Sequence, residues 1–114
     1  MRYLITPVPK PRQTKSDVWK KRPCVMRYRA FADEVRAAGI EIGAMLNVKF
    51  YLPMPSSWSG KKKMKMAMEP HQQTPDLDNL VKALLDAVLS NDAHVYSITA
   101  VKTWGHVGSI VIED

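Results

Sequence analysis

The segment Leu77–Leu89 constrains this chain more than any other. Leu77, Leu80, Val81, Leu84, Leu85 and Val88 recur at three- and four-residue spacing, which places them along one broad face of a helix. A face that wide and apolar must be covered, so this helix is the inner wall of a core. With 114 residues there is room for one such core, and residues 1–114 read as a single domain. An apolar fraction of 46% is enough to fold without staples. The single Cys24 has no partner for an internal disulfide. It reads as a small buried hydrophobe in a helix's first turn, and its isolation suits a reducing cytosol.

The cover for that helix is legible on either side of it. Arg2–Thr6 reads as a short strand. Pro7–Pro23 holds four prolines and six basic residues, so it is a loop. Pro23 suits the first turn of a helix, which runs to about Ala38 and stops at Gly39. Its apolar face is Val25, Tyr28, Phe31 or Ala32, and Val35. Met45–Leu52 alternates, with Leu46, Val48, Phe50 and Leu52 on one side of a half-buried strand. Pro53–Pro75 supports two compatible readings. The alternating Lys and Met of Lys61–Met68 fit an edge strand with Met64, Met66 and Met68 facing inward, and a long irregular segment in a small domain is often functional. Val95–Trp104 is a strand, Gly105–Gly108 a turn, and Ser109–Glu113 a last strand closing a hairpin. The order β-α-β-(basic loop)-α-β-β predicts an α+β domain with a mixed sheet and two main helices.

Charge is distributed unevenly. The net charge is +6, from 17 basic and 11 acidic residues. Nine of the 17 basic residues lie in the first 29 positions, and Lys61, Lys62, Lys63 and Lys65 form a second cluster. Such a surface favours a polyanion, because phosphate contacts release counterions. Between Asp76 and Asp92 the sign reverses, with four aspartates against Lys82. An acidic pocket in a basic shell is what a nuclease needs: phosphates attracted overall, divalent cations held at one spot. No apolar run approaches the roughly 20 residues that span a bilayer. Met1–Arg12 is too proline-broken for a signal peptide, so the expectation is a soluble, cytoplasmic protein.

The acids lie in the string Thr74-Pro-Asp-Leu-Asp-Asn79. Asp76 after Pro75 is a good N-cap, and Asp78 suits a first turn. Lys82 and Asp86 fit an ordinary i, i+4 pair. Capping explains one aspartate, however, not two aspartates followed by a lysine. Asp78, Lys82 and Asp86 share a polar strip opposite the leucine face. Two carboxylates separated by one apolar anchor at a loop-to-helix junction suit a hard cation such as Mg²⁺, and a nearby lysine can stabilise charge on an attacked phosphate. Asp92 is the natural third carboxylate, although a turn role also fits it. It lies on the order of 20 Å from Asp78 along a straight helix. The two meet within one chain only if the loop folds back, or else across a twofold axis. His71, His94 and His106 lack ligand spacing and read as solvated or locally hydrogen-bonded. Trp58 fits stacking on an unpaired base or packing within the protein.

Through Pro75–Val88, then Asn91–Val95, then Ile98–Gly105, the chain resembles the RusA family of Holliday-junction resolvases of phages, prophages and bacterial chromosomes. The likeness spans nearly the whole chain. It implies a homodimeric, Mg²⁺-dependent endonuclease, with Mn²⁺ as the alternative ion, that nicks four-way DNA junctions symmetrically in recombination and repair and needs no organic cofactor. The family's catalytic and metal-holding aspartates fall on Asp76, Asp78 and Asp92, and its essential lysine on Lys82. Asn79 and Asp86 match motif positions. The short link before Asp92 departs from the pattern and puts its register in doubt. The basic residues expected to contact DNA are Lys10, Arg12, Lys15, Lys20, Lys21 and Arg22 in the first loop and Lys61, Lys62, Lys63 and Lys65 in the second. The competing readings are a non-catalytic junction-binding protein, which gains nothing from aspartates facing phosphate, and an interaction module, which leaves the basic clusters unexplained.

Overall fold

The computed structural model describes residues 1–11, 23–91 and 93–113. Their elements follow in the order β1 (Arg2–Tyr3), α1 (Pro23–Ala37), β2 (Met45–Pro53), α2 (Gly60–Met66), α3 (Leu77–Val88), β3 (Ser97–Gly105) and β4 (Ser109–Glu113). The strands form one mixed sheet in the order β1-β4-β2-β3. The expected α+β architecture is thus found, with a third, short helix added.

β2 takes the interior of the sheet. Leu46, Val48, Phe50, Tyr51 and Leu52 are all buried, so this strand gains most from neighbours on both sides. It runs antiparallel to β4, with Phe50 opposite Ile110. It runs parallel to β3, with Met45 opposite Ser97 and Pro53 opposite Gly105. A parallel neighbour cannot be reached through a tight turn, so the chain crosses over, and α2 and α3 lie in that crossover. The closing hairpin expected from sequence does not form. β3 and β4 are consecutive in the chain but flank β2 on opposite sides, because the most apolar strand displaces the local pairing.

One face of the sheet is the core. Leu46, Val48, Phe50, Leu52 and Ile110 pack with Phe31, Ala32 and Val35 of α1 and Leu80, Ala83, Leu84 and Leu85 of α3. Gly39 ends α1 at a φ of +69°, a conformation that favours glycine, and its N–H donates to the Arg36 carbonyl at 3.1 Å. The Arg36 Nε donates to the Ala87 carbonyl at 3.1 Å and ties α1 to the last turn of α3.

The edge-strand reading of Lys61–Met68 is overturned. Ser59 caps a helix instead, its hydroxyl accepting the Lys62 N–H at 3.2 Å. Met64 and Met68 are 80% and 65% exposed rather than turned inward. Strand-like pairing begins just afterwards. Trp104 donates to the Glu69 carbonyl and His71 to that of Lys102, each at 3.0 Å, so this segment covers the end of the β3 edge. Trp58 packs within the chain, its ring centroid 4.8 Å from that of Trp104, with the Lys62 ammonium 4.3 Å from the Trp58 centroid.

Gly108 packs against the chain's first residues. A Cβ placed there would lie 2.8 Å from the Thr6 Cα, closer than any side chain tolerates. Gly108→Ala should therefore destabilise the fold by about 1–3 kcal/mol. Gly43→Ala, which meets nothing within 4 Å, should stay within about 0.5 kcal/mol of wild type in the same urea titration.

Candidate active site

α3 begins without the cap its sequence offers. Asp76 takes the N-cap position at φ −68° and ψ 142°, and its carbonyl accepts the Leu80 N–H at 3.2 Å. Its carboxylate makes no capping hydrogen bond. Asp78 lies in the first turn, where the positive end of the helix favours an acid. Leu77, between the two, packs against the core and anchors the turn. Asp76, Asp78 and Lys82 are all exposed, and none of their side chains has a hydrogen bond or ion pair among the described residues.

Asp86 behaves differently. The pairing with Lys82 suggested by sequence is not made; the Asp86 carboxylate takes the Lys10 ammonium instead. The Lys10 N–H also donates to the Asn79 carbonyl at 3.3 Å, so Lys10 clasps α3 at two points. Burial, then the Asp86 charge, raise the pKa of the neighbouring Tyr28 hydroxyl. Asp86 therefore holds the N-terminal segment against the helix, and the charge of Lys10 is engaged within the chain.

Two cavities open beside the first turn of α3. Asp76 and Asn79 line a groove of about 760 Å³, walled by Thr6–Lys10, Pro53, Pro55 and Gln73–Pro75 and floored by His71 and Trp104. Asp78 lines a separate cleft of about 530 Å³ with Leu77, Val81, Ile98 and Ala100. Among the described residues, no three acidic, histidine or cysteine side chains converge on one point. Asp92 lies outside the described residues, as do Arg12, Lys15, Lys20, Lys21 and Arg22. Lys61, Lys62, Lys63 and Lys65 are together on α2, and all but the half-buried Lys63 are exposed.

The loop that delivers Asp76 is pinned from the sheet. Lys102 of β3 donates from Nζ to the Pro75 carbonyl at 2.7 Å and also to that of Gln73. His71 beneath it is only 6% exposed, with its ring 4.0 Å from that of Trp104. Its Nδ1 accepts the Gln73 N–H at 3.4 Å, which leaves the proton of the neutral ring on Nε2. Burial, and then the charge of Lys102, push the His71 pKa below its ordinary value. The reading of His71 as solvated is thus corrected, though local hydrogen bonding holds. His94 and His106 are exposed, and the His94 ring meets the Asn91 carbonyl at 3.1 Å. The sequence reading missed Lys102, His71 and Trp104 as site residues. A signal existed for Lys102, a lone cation on the strand face that also carries Ile98, Ala100 and Trp104. None existed for His71.

A family model described as endodeoxyribonuclease RusA matches residues 5–113. The chain belongs to the RusA family. Comparison with curated proteins and with solved structures gives no match. RusA enzymes are endodeoxyribonucleases that resolve Holliday junctions, and they generally depend on a divalent metal. The RusA chain has, among its described residues, no helix long and apolar enough to cross a membrane.

The His71 shift has a thermodynamic consequence. Because the folded state binds this proton less readily than the unfolded chain, the group costs nothing well above its ordinary pKa of 6.5 and destabilises the fold as pH falls below it. Wild type should lose stability through this window from His71. His71→Phe should lack that component in urea unfolding followed from about pH 7.5 to pH 5.

Proposed function

We propose that the protein is a homodimeric, Mg²⁺-dependent enzyme that resolves four-way DNA junctions by symmetric paired nicks in recombination and repair. The observation that carries this reading is the set Asp76, Asp78 and Lys82. These three charges lie along the first half of a helix whose apolar face is spent on the core, and none of their side chains has a hydrogen bond or ion pair among the described residues. A pure DNA binder gains nothing from two bare carboxylates facing phosphate, because they repel it.

The donor set fits a hard cation. Mg²⁺ favours one or two carboxylates together with waters and substrate phosphate, and Asp76 and Asp78 have every oxygen available. A bound divalent ion supplies a Lewis acid for the scissile phosphate and a more acidic water. Asp76 and Asp78 would hold it, with Asp92 as the third carboxylate, and Mn²⁺ is the alternative ion. Lys82, one turn further along the exposed side of α3, balances the charge that grows on the phosphate as water adds and the bridging oxygen leaves. Lys102 acts as a positioning residue through the Gln73 and Pro75 carbonyls.

One feature supports a dimer. The part of β3 left uncovered by the Glu69–His71 segment carries exposed Ile98 and Val101, with exposed Tyr96 just before it. A second copy related by a twofold axis brings its Asp92 beside the first copy's Asp76 and Asp78. The DNA then follows Lys61, Lys62, Lys63 and Lys65 of α2 together with Arg12, Lys15, Lys20, Lys21 and Arg22. The setting is the bacterial cytoplasm, with a phage or prophage as the gene's source.

Labelled four-way junctions should be nicked in pairs with Mg²⁺ and left intact in EDTA, and a linear duplex of matching sequence should not be cut. Asp76→Asn should lower the cleavage rate by about 10²–10³-fold while junction binding survives. Tight junction binding without cutting in any divalent metal would replace this reading with that of a binder. Full activity from a monomer would remove the shared site.

The lysines of α2 make a separate prediction. Replacing Lys61, Lys62 and Lys65 with Gln should flatten the dependence of log binding constant on log salt by about 0.9 for each phosphate no longer neutralised. An unchanged slope in a filter-binding titration would place the DNA elsewhere.

A further inference from the structure

We propose that the groove beside Asp76 is a nucleobase pocket, which takes one base unstacked from the DNA at the branch point and holds it over His71 between proline walls. This rests on the reading of the chain as a junction nuclease and adds how the branch is recognised.

The polar groups of the groove point to a base rather than to an apolar ligand. His71 is more than nine-tenths buried, and its Nδ1 is occupied by the Gln73 N–H. Its other ring nitrogen has no partner among the described residues, yet no buried side-chain nitrogen or oxygen is left unsatisfied among them. The Nε2–H therefore reaches open space, and His71 lines the groove. Asn79 faces the same groove. Its carbonyl is used by Lys10, whereas its side-chain amide has no partner among the described residues and offers both a donor and an acceptor. A ligand edge that exchanges hydrogen bonds with an imidazole N–H and an amide is that of a nucleobase.

The remainder of the groove agrees. Val8, Leu52, Pro53 and Pro55 supply flat apolar walls, so most of the lining prefers a planar apolar face. Arg27 of α1 stands at the rim, exposed and with no ion pair among the described residues, where it can meet the phosphate attached to the captured base. A volume of about 760 Å³ admits one nucleotide but not a duplex. Extracting a base costs least where pairing is already broken, so a pocket next to Asp76 favours a branch point over continuous duplex.

Single abasic sites placed in turn within three nucleotides of the branch point test this. Affinity is measured in Ca²⁺, where binding is read whether or not the strand is cut, and cleavage in Mg²⁺ separately reports on the nuclease reading. At one position, removing the base should weaken wild-type binding about tenfold, the scale of one or two hydrogen bonds to buried groups. His71→Phe, which keeps the ring on Trp104 but deletes the N–H, should erase most of that penalty. Pro55→Trp, which fills the groove from an exposed wall and spares the core, should do the same. Equal or tighter binding to every abasic junction would overturn the proposal. So would an undiminished penalty in Pro55→Trp or in folded His71→Phe.

Discussion

The parallel pairing of β2 with β3 is the constraint from which the site follows. Two parallel strands cannot be joined directly, so the chain leaves β2 at Pro53, crosses the helical face and returns to start β3 at Ser97. On the way α3 packs its Leu80–Leu84–Leu85 face into the core formed by the apolar side chains of β2 and α1. The segment before α3 is thereby forced back along the edge of β3, where His71 and Glu69 pair with Lys102 and Trp104. Asp76 then emerges where helix, sheet edge and N-terminal segment meet. The groove is the space those three leave between them.

Within α3 the acids divide according to what they touch. Asp86, half-buried and in the helix's last turn, pairs with Lys10 and serves the fold. Asp76 and Asp78 remain exposed, and their desolvation cost is postponed until something binds. A cap hydrogen bond at Asp76 would stabilise α3 by about 1 kcal/mol. Its absence leaves that carboxylate available, and the loop is held instead by Lys102 acting on carbonyl oxygens. A lysine that orders a loop through its backbone fixes where a side chain starts without consuming the side chain itself.

The parts legible in the sequence are those governed by apolar spacing. α1, α3 and β2 follow from residues three or four apart, or two apart, and their boundaries fall within a residue or two of expectation. Features decided by competition between distant segments were not legible. Nothing local announces that β4 will pair with β2 rather than with β3, because that choice depends on how much of β2 there is to bury. At Lys61–Met68 the alternation favoured a strand, but Ser59 at a helix start outweighed it, and the exposed Met64 shows how little that alternation had to bury. In the site, Asp76, Asp78 and Lys82 could be named from chemistry alone. His71 could not, since Pro70-His-Gln-Gln carries no periodicity and its burial depends on Trp104, more than thirty positions away by sequence.

The two-point clasp of Lys10 joins these observations into one argument about how the groove keeps its shape. Its N–H fixes the Asn79 carbonyl and its ammonium fixes Asp86, so the wall formed by Pro7–Pro9 cannot drift from α3 without breaking both. Gly108 holds the same segment from the other end by allowing Thr6 to approach where a side chain would collide. The opposite wall is equally constrained, with Pro53 paired to Gly105 in the sheet and the Gln73–Pro75 turn held by Lys102. A cavity between walls tied at both ends is formed before any ligand arrives. Binding then costs little reorganisation of the protein, and the free energy of capture depends mainly on how easily the nucleic acid yields its base. That dependence on the DNA rather than on the enzyme is how a small rigid fold can distinguish a branch from a duplex.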